Sequence, residues 1–173
     1  YNGAQIGLNT ILMQENLEYI SEIIKLARDN GINVTLMPYN PVKNRKAKHE
    51  INSPEPSIAK YALTRFKREH PDVITNPFTT LSAVEHFLVN GSYGRCDAGH
   101  SFLWVRADGR LAACTDHPES EGLTLEEVRH FKDWNKCNNC YVPCRTLSET
   151  AKSNNPFDLL DLARELRDIV YRK

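Results

Sequence analysis

The sequence predicts an α/β chain in two parts: a parallel strand–helix–strand unit followed by helices, then a smaller α+β region carrying a β-hairpin and a cysteine-rich loop. Three observations predict it. Residues Ala4 to Met37 read as strand, helix and strand in that order; Asp108-Gly109 sits between two strand-like runs; and four of the five cysteines fall between Cys114 and Cys144. With 173 residues, 40% of them hydrophobic, the chain is long enough for one core or two small ones.

Residues Ala4 to Leu12 are mostly apolar with weak alternation, as in a buried strand, and Asn16 is placed to cap the helix that follows. Leu17, Ile20, Ile24 and Ala27 recur at helical spacing, and Gly31 stands just past the end, where a left-handed residue is favoured. The β-branched run Ile32 to Met37 then reads as a strand stopped by Pro38. Strand, helix and strand in this order imply parallel neighbours joined by a right-handed crossover.

Asn40 to Pro56 holds three prolines and a charge run, Lys43, Arg45, Lys46 and Lys48, and reads as a long solvated loop. Ile58, Tyr61, Ala62 and Phe66 outline a second amphipathic helix, and Thr79 to Asn90 a third, closed by Gly91. No strand is evident between or after these helices, so the parallel sheet is expected to end with residues 32–37. Two parallel strands cannot close a barrel, and an open strand edge is a hazard; the missing strands are expected before residue 1. The non-methionine start at Tyr1, already fold-like, agrees with a fragment.

Beyond Cys96 the pattern changes. Ser101 to Ala107 is strand-like, Asp108-Gly109 is a two-residue hairpin signal, and Arg110 to Ala113 is expected to return antiparallel. Thr124 with Glu127 three residues later forms a capping box opening a helix that ends near Trp134. Cys137 to Cys144 reads as a tight loop. Asn155-Pro156 opens a last helix, with Leu159, Leu162, Leu166 and Ile169 as its docking face.

Charge and hydropathy exclude several function classes. Lys+Arg and Asp+Glu both total 22, so no net field favours nucleic acid or an acidic membrane surface. No apolar stretch approaches the roughly 20 residues that cross a bilayer, which makes a cytoplasmic location the default expectation.

The cysteines carry the chemistry. Twelve residues separate Cys96 from Gly109 and four more separate Gly109 from Cys114, so a turn at Asp108-Gly109 brings both cysteines to one end of the ribbon. Cys137, Cys140 and Cys144 follow as CxxCxxxC, and thiolates at i and i+3 in a tight loop can face one metal centre. An odd number of cysteines in a reducing compartment argues for metal ligation over a disulfide framework. Soft thiolates suit zinc or an iron–sulfur cluster and not magnesium, calcium or manganese. Structural zinc sites usually pair two short knuckles, and the long arm from Cys96 to Cys114 departs from that pattern, tipping the balance toward iron. The rival reading is a non-catalytic zinc-binding module in which four thiolates staple a small domain. His100, Asp116 and His117 flank the cysteines; a polar surface loop accounts for them, with tuning of a cluster, or a histidine in place of one thiolate, as alternatives. Trp104 and Trp134 are expected in a small local core shielding the site.

GRCDAGHSFLWVRADGRLAAC followed by KCNNCYVPC resembles the auxiliary-cluster region of radical S-adenosylmethionine enzymes with a SPASM or shortened twitch domain. Upstream, IGLNTILMQENLEYISEIIKLARDNGINVTLMPYNP resembles the fifth and sixth strands of that family's partial (β/α)6 barrel, with the intervening helix. The resemblance implies the C-terminal part of the barrel over residues 1–92 and an auxiliary-cluster domain over 93–173. It implies one auxiliary [4Fe-4S] cluster held by Cys96, Cys114, Cys137 and Cys140, with Cys144 as an alternative to either of the last two. It also implies contacts to S-adenosylmethionine from Asn9 and Thr10 at the end of the first strand and from Met37 and Pro38, with Tyr39, at the end of the second; core packing and capping remain the competing account of these residues. The family's CxxxCxxC motif, which holds the cofactor-cleaving cluster, is absent, so this chain alone is expected to generate no radical. The partners so implied are the missing N-terminal half-barrel, an electron donor such as flavodoxin or ferredoxin, and a peptide or small-molecule substrate.

Overall fold

The computed structural model describes residues 6–40 and 56–138, with single positions or short pairs between 141 and 167. Strand β1 (Gly7–Leu12), helix α1 (Ile20–Asp29) and strand β2 (Asn33–Pro38) come first. β1 and β2 pair in parallel, with Asn9 opposite Thr35 and Leu12 opposite Pro38, as the strand–helix–strand reading expects. Pro38 is the last pairing residue of β2, not a stop before it. Gly31 follows α1 with φ of 64°, the left-handed geometry expected there.

Asn16 does not cap a helix through its side chain. Its Oδ1 accepts from the Met13 amide and its Nδ2 donates to the Ile11 carbonyl, tying the end of β1, while a single 3-10 turn, Leu17–Tyr19, leads into α1. An asparagine this close to a strand end satisfies the turn before it can serve the helix.

Ile20, Ile24 and Ala27 of α1 are buried against Leu12, Val34 and Leu36 of the sheet. Helices α2 (Pro56–Glu69) and α3 (Phe78–Asn90) complete this core with Leu63, Leu81, Val84 and Phe87. Gly91 ends α3 in the left-handed conformation. The loop and basic run expected between Asn40 and Pro56 lie outside the described residues over 41–55.

The parallel pairing does not stop at β2, contrary to expectation. Between α2 and α3, Val34 forms a parallel bridge with Ile74: its amide donates to the Val73 carbonyl at 2.8 Å and its carbonyl accepts from the Thr75 amide at 2.9 Å. Asn76 continues the ladder with its side chain, donating to the Leu36 carbonyl and accepting from the Leu36 amide at 2.7 Å. The segment is too short for strand periodicity to show in sequence, and one of its rungs is a side-chain amide.

The second part holds an antiparallel sheet of β3 (Trp104–Val105), β4 (Leu111–Ala112) and β5 (Glu121–Leu123), in that order. The hairpin is present but shorter than expected, and its connection differs. The Arg106 amide donates to Arg110 and the Gly109 amide to Arg106, making a three-residue loop with Gly109 at φ of 80° rather than a two-residue turn. Helix α4 (Leu125–Trp134) opens with the full capping box of Thr124 and Glu127. Of the expected last helix, positions 156, 159, 160, 163 and 167 are helical; Leu159 is 43% exposed and so is not docked, and Leu162, Leu166 and Ile169 lie outside the described residues.

Candidate metal centre

A second, smaller core gathers Cys96, Ala98, Ala113, Cys114, Val128 and Phe131, with Phe102 and Leu111 packed against it. The hairpin thus returns the chain so that Cys96 and Cys114, both buried, pack in one apolar cluster. Phe131 and Val128, a turn of α4 apart, are fully buried and form its floor. Trp104 is 37% exposed and does not shield the site as expected; the side chain of Trp134 lies outside the described residues.

Gly99 fixes how closely the hairpin sits on α4. Its φ is 83°, and a Cβ there would meet the Val128 carbonyl oxygen at 2.2 Å. Only a residue without a side chain lets the Cys96 segment reach that depth.

Cys137 is brought to the same place by its backbone. The Cys96 amide donates to the Cys137 carbonyl at 3.2 Å. Asn135, buried at the end of α4, accepts from the Cys137 amide at 3.0 Å and donates through Nδ2 to the Cys96 carbonyl at 3.5 Å, so one amide group clasps both segments. Two further residues anchor the downstream loop. Tyr141 is buried among Phe87 and Tyr93 with its hydroxyl donating to Thr80, and the fully buried guanidinium of Arg145 donates to the Tyr93 and Gly94 carbonyls and stacks over Tyr93.

The loop after Cys114 wraps its sulfur. The Asp116 amide donates to Cys114 Sγ at 3.3 Å and the His117 amide also bonds to it. Ser120 is fully buried and holds this loop closed, accepting from the Cys114 amide and donating to the Cys114 and His117 carbonyls. Burial first, with the nearby Asp116 and Cys96 adding to it, pushes the Cys114 thiol up to about 11 even though these amides favour the thiolate. Amides aimed at a sulfur too buried to ionise unaided suit a thiolate whose charge is balanced by a metal.

His117 stands beside these sulfurs. Its Nδ1 lies 2.6 Å from Glu119 Oε1, its ring packs edge-on against Phe131, and its Nε2 is buried with no regular hydrogen bond among the described residues. Burial lowers its basicity, but the Cys137 thiol and the Glu119 carboxylate against it raise it more. His100 is exposed, and Asp116 accepts from Asn40 Nδ2 just beyond β2, joining the two parts of the chain.

Of the five expected ligands, Cys96 and Cys114 share the small core and Cys137 is tied to Cys96 through the backbone, while Cys140 and Cys144 lie outside the described residues. Among the described residues, no three histidine, cysteine or acidic side chains converge closely enough to hold a metal ion. The four residues expected to touch a cofactor divide between two faces. Thr10 and Pro38 point with Leu12 and Leu36 toward the helices, whereas Asn9 and Met37 share the opposite face with Thr35, whose hydroxyl bonds Thr75 at 2.8 Å. Strand alternation makes this unavoidable, because consecutive residues take opposite sides.

Ser120, Asn135, Tyr141 and Arg145 were not legible as site residues. Asn135, Tyr141 and Arg145 act through backbone contacts distant in sequence, and Ser120 through a local loop closure that no sequence pattern marks. No family model matches the chain, and no match is found among curated proteins or solved structures.

Proposed function

We propose that this chain is the C-terminal portion of a radical S-adenosylmethionine enzyme: part of a partial barrel over 1–92 and a twitch-like domain over 93–173 that holds an auxiliary [4Fe-4S] cluster. The observation that supports the reading is the packing of Cys96 and Cys114 in one buried cluster, with the Cys137 backbone bonded to Cys96 and amides directed at Cys114 Sγ. In this reading Cys96, Cys114 and Cys137 would be its ligands together with Cys140 or Cys144. The parallel β1–β2 pairing, prolonged to Ile74, is the arrangement a partial barrel requires.

In the complete enzyme, one electron from the cofactor-cleaving cluster would break the sulfonium–C5′ bond, giving methionine and a 5′-deoxyadenosyl radical that takes a hydrogen atom from a peptide or small-molecule substrate. This chain's share is placement. Asn9 and Met37 face the open side of the sheet, where the cofactor would lie, and Thr10 and Pro38 support that surface from behind. Ser120 and Asn135 hold the cysteine-bearing loops in register, and Phe131, Val128 and Phe102 keep water from the sulfurs, which governs a cluster's potential.

Anaerobic purification tests the reading. The expected product is brown, absorbs broadly near roughly 400 nm and releases iron and sulfide in about equal amounts. A colourless protein containing zinc would replace this reading with the structural zinc module, and a metal-free protein after iron and sulfide reconstitution would remove both.

A further inference from the structure

Helix α3 begins with its first turn open. Leu81 is the first residue whose amide is bonded, to the Pro77 carbonyl at 3.0 Å, and the amides of Phe78, Thr79 and Thr80 have no partner among the described residues. A helix start normally draws on a side chain for these donors. Here none is offered: Pro77, which precedes the helix, has no polar side chain, and both side-chain polar atoms of Asn76 are committed to the Leu36 backbone. Thr80 adds a second unmet group. It is only 5% exposed, and its hydroxyl makes no hydrogen bond among the described residues, since Tyr141 bonds to its carbonyl and not to its side chain. The Cα–Cβ bonds of a helix tilt toward its N-terminus, so this side chain leans over the open amides. A buried hydroxyl left unpaired is costly unless something binds it.

We propose that this first turn is a phosphate-binding site, formed by the amides of Phe78, Thr79 and Thr80, the Thr80 hydroxyl and Arg68. The unpaired amides and the helix dipole put partial positive charge at this end. The Arg68 guanidinium lies over the Phe78 ring, 6.0 Å from its centre, and brings a full cation to the same place. A phosphate, with its oxygens set tetrahedrally, can take several of these donors at once. The position suits a ligand as well. Residues 73–75 run parallel to β2 and Asn76 sits beside Leu36, so α3 starts at the carboxyl end of the sheet, where open α/β sheets bind their ligands. A phosphate ester and the free ion share this chemistry. The site uses no cysteine, so it goes beyond the cluster reading, and its failure would leave that reading standing.

Titration of the full chain with inorganic phosphate, followed by amide ¹⁵N–¹H correlation spectra, tests the site. Saturable shifts of the Phe78, Thr79 and Thr80 amides are expected, with a dissociation constant on the order of 1 mM or below. Thr80→Val keeps the shape of the side chain and removes the hydroxyl. It is expected to weaken phosphate binding about tenfold while the phosphate-free protein melts no lower, because that hydroxyl has no partner to lose. Should Thr80→Val fail to fold, Arg68→Gln on the exposed side of α2 serves instead, with about tenfold weaker binding expected. Amides that do not shift, shifts that do not saturate, or wild-type affinity in the variant overturn the site. Glycerol 3-phosphate, titrated alongside, identifies the source: binding tighter than that of inorganic phosphate assigns the site to a phosphate ester, equal or weaker binding assigns it to the free ion, and either upholds it.

Discussion

Gly99 shows how much can depend on one residue. Alanine there would combine a left-handed φ with a 2.2 Å contact to the Val128 carbonyl, and neither backbone is free to retreat into solvent. Gly99→Ala is expected to cost about 2–4 kcal/mol in chemical denaturation, the range of backbone strain plus overpacking, and to loosen the cysteine pocket with it. Asn135 is the polar counterpart. Asn135→Ala strands the Cys137 amide and weakens the hold on Cys96, with an expected loss of about 1–3 kcal/mol and faster release of bound metal. Sequence spacing exposed the cysteines because thiols in clusters are rare. It could not expose Asn135 or Ser120, because an asparagine after a helix is ordinary until its distant partner Cys96 is known, and a serine in a polar loop until the loop is seen to close on it.

At the scale of elements, what repeats or is capped was readable and what pairs by single contacts was not. The helical spacing of Ile20, Ile24 and Ala27, the glycines after α1 and α3, and the Thr124 capping box all lie within a few residues of what they determine. The three-residue hairpin loop and β5 depend on register between strands of two or three residues, below the length at which alternation is informative. The contact of α2 with α3 offers a pH test. Glu85 is buried on α3 and accepts from the Thr64 amide at 2.9 Å; burial raises its pKa, and the hydrogen bonds and Arg68 oppose that only in part. Its folded pKa exceeds its unfolded one, so its contribution to stability is fully present below the unfolded value and is lost as pH rises through the raised folded value. Thermal melts across the weakly acidic to neutral range are expected to show that decline in the wild type and a flatter profile in Glu85→Gln.

Among the described residues, specific contacts tie the second part of the chain to the first: Asn40 to Asp116, Tyr141 to Thr80 within the first core, and Arg145 to Tyr93 and Gly94. Arg145→Met keeps the bulk and removes the donors, leaving two carbonyls without their guanidinium; a loss of about 1–3 kcal/mol is expected by urea denaturation, with the first core keeping its helical signal. None of the described helices is long and apolar enough to cross a membrane.

The third pairing segment has a directional consequence. Its inner side is spent on β2, while on its outer side the Ile74 amide donates to His70 and the Ile74 carbonyl takes the Lys67 ammonium. Growth of the sheet is therefore terminated at that margin by local chain, whereas β1 has no second neighbour among the described residues. Among the described residues, a strand added to the parallel sheet would therefore join it beside β1 and not beside Ile74.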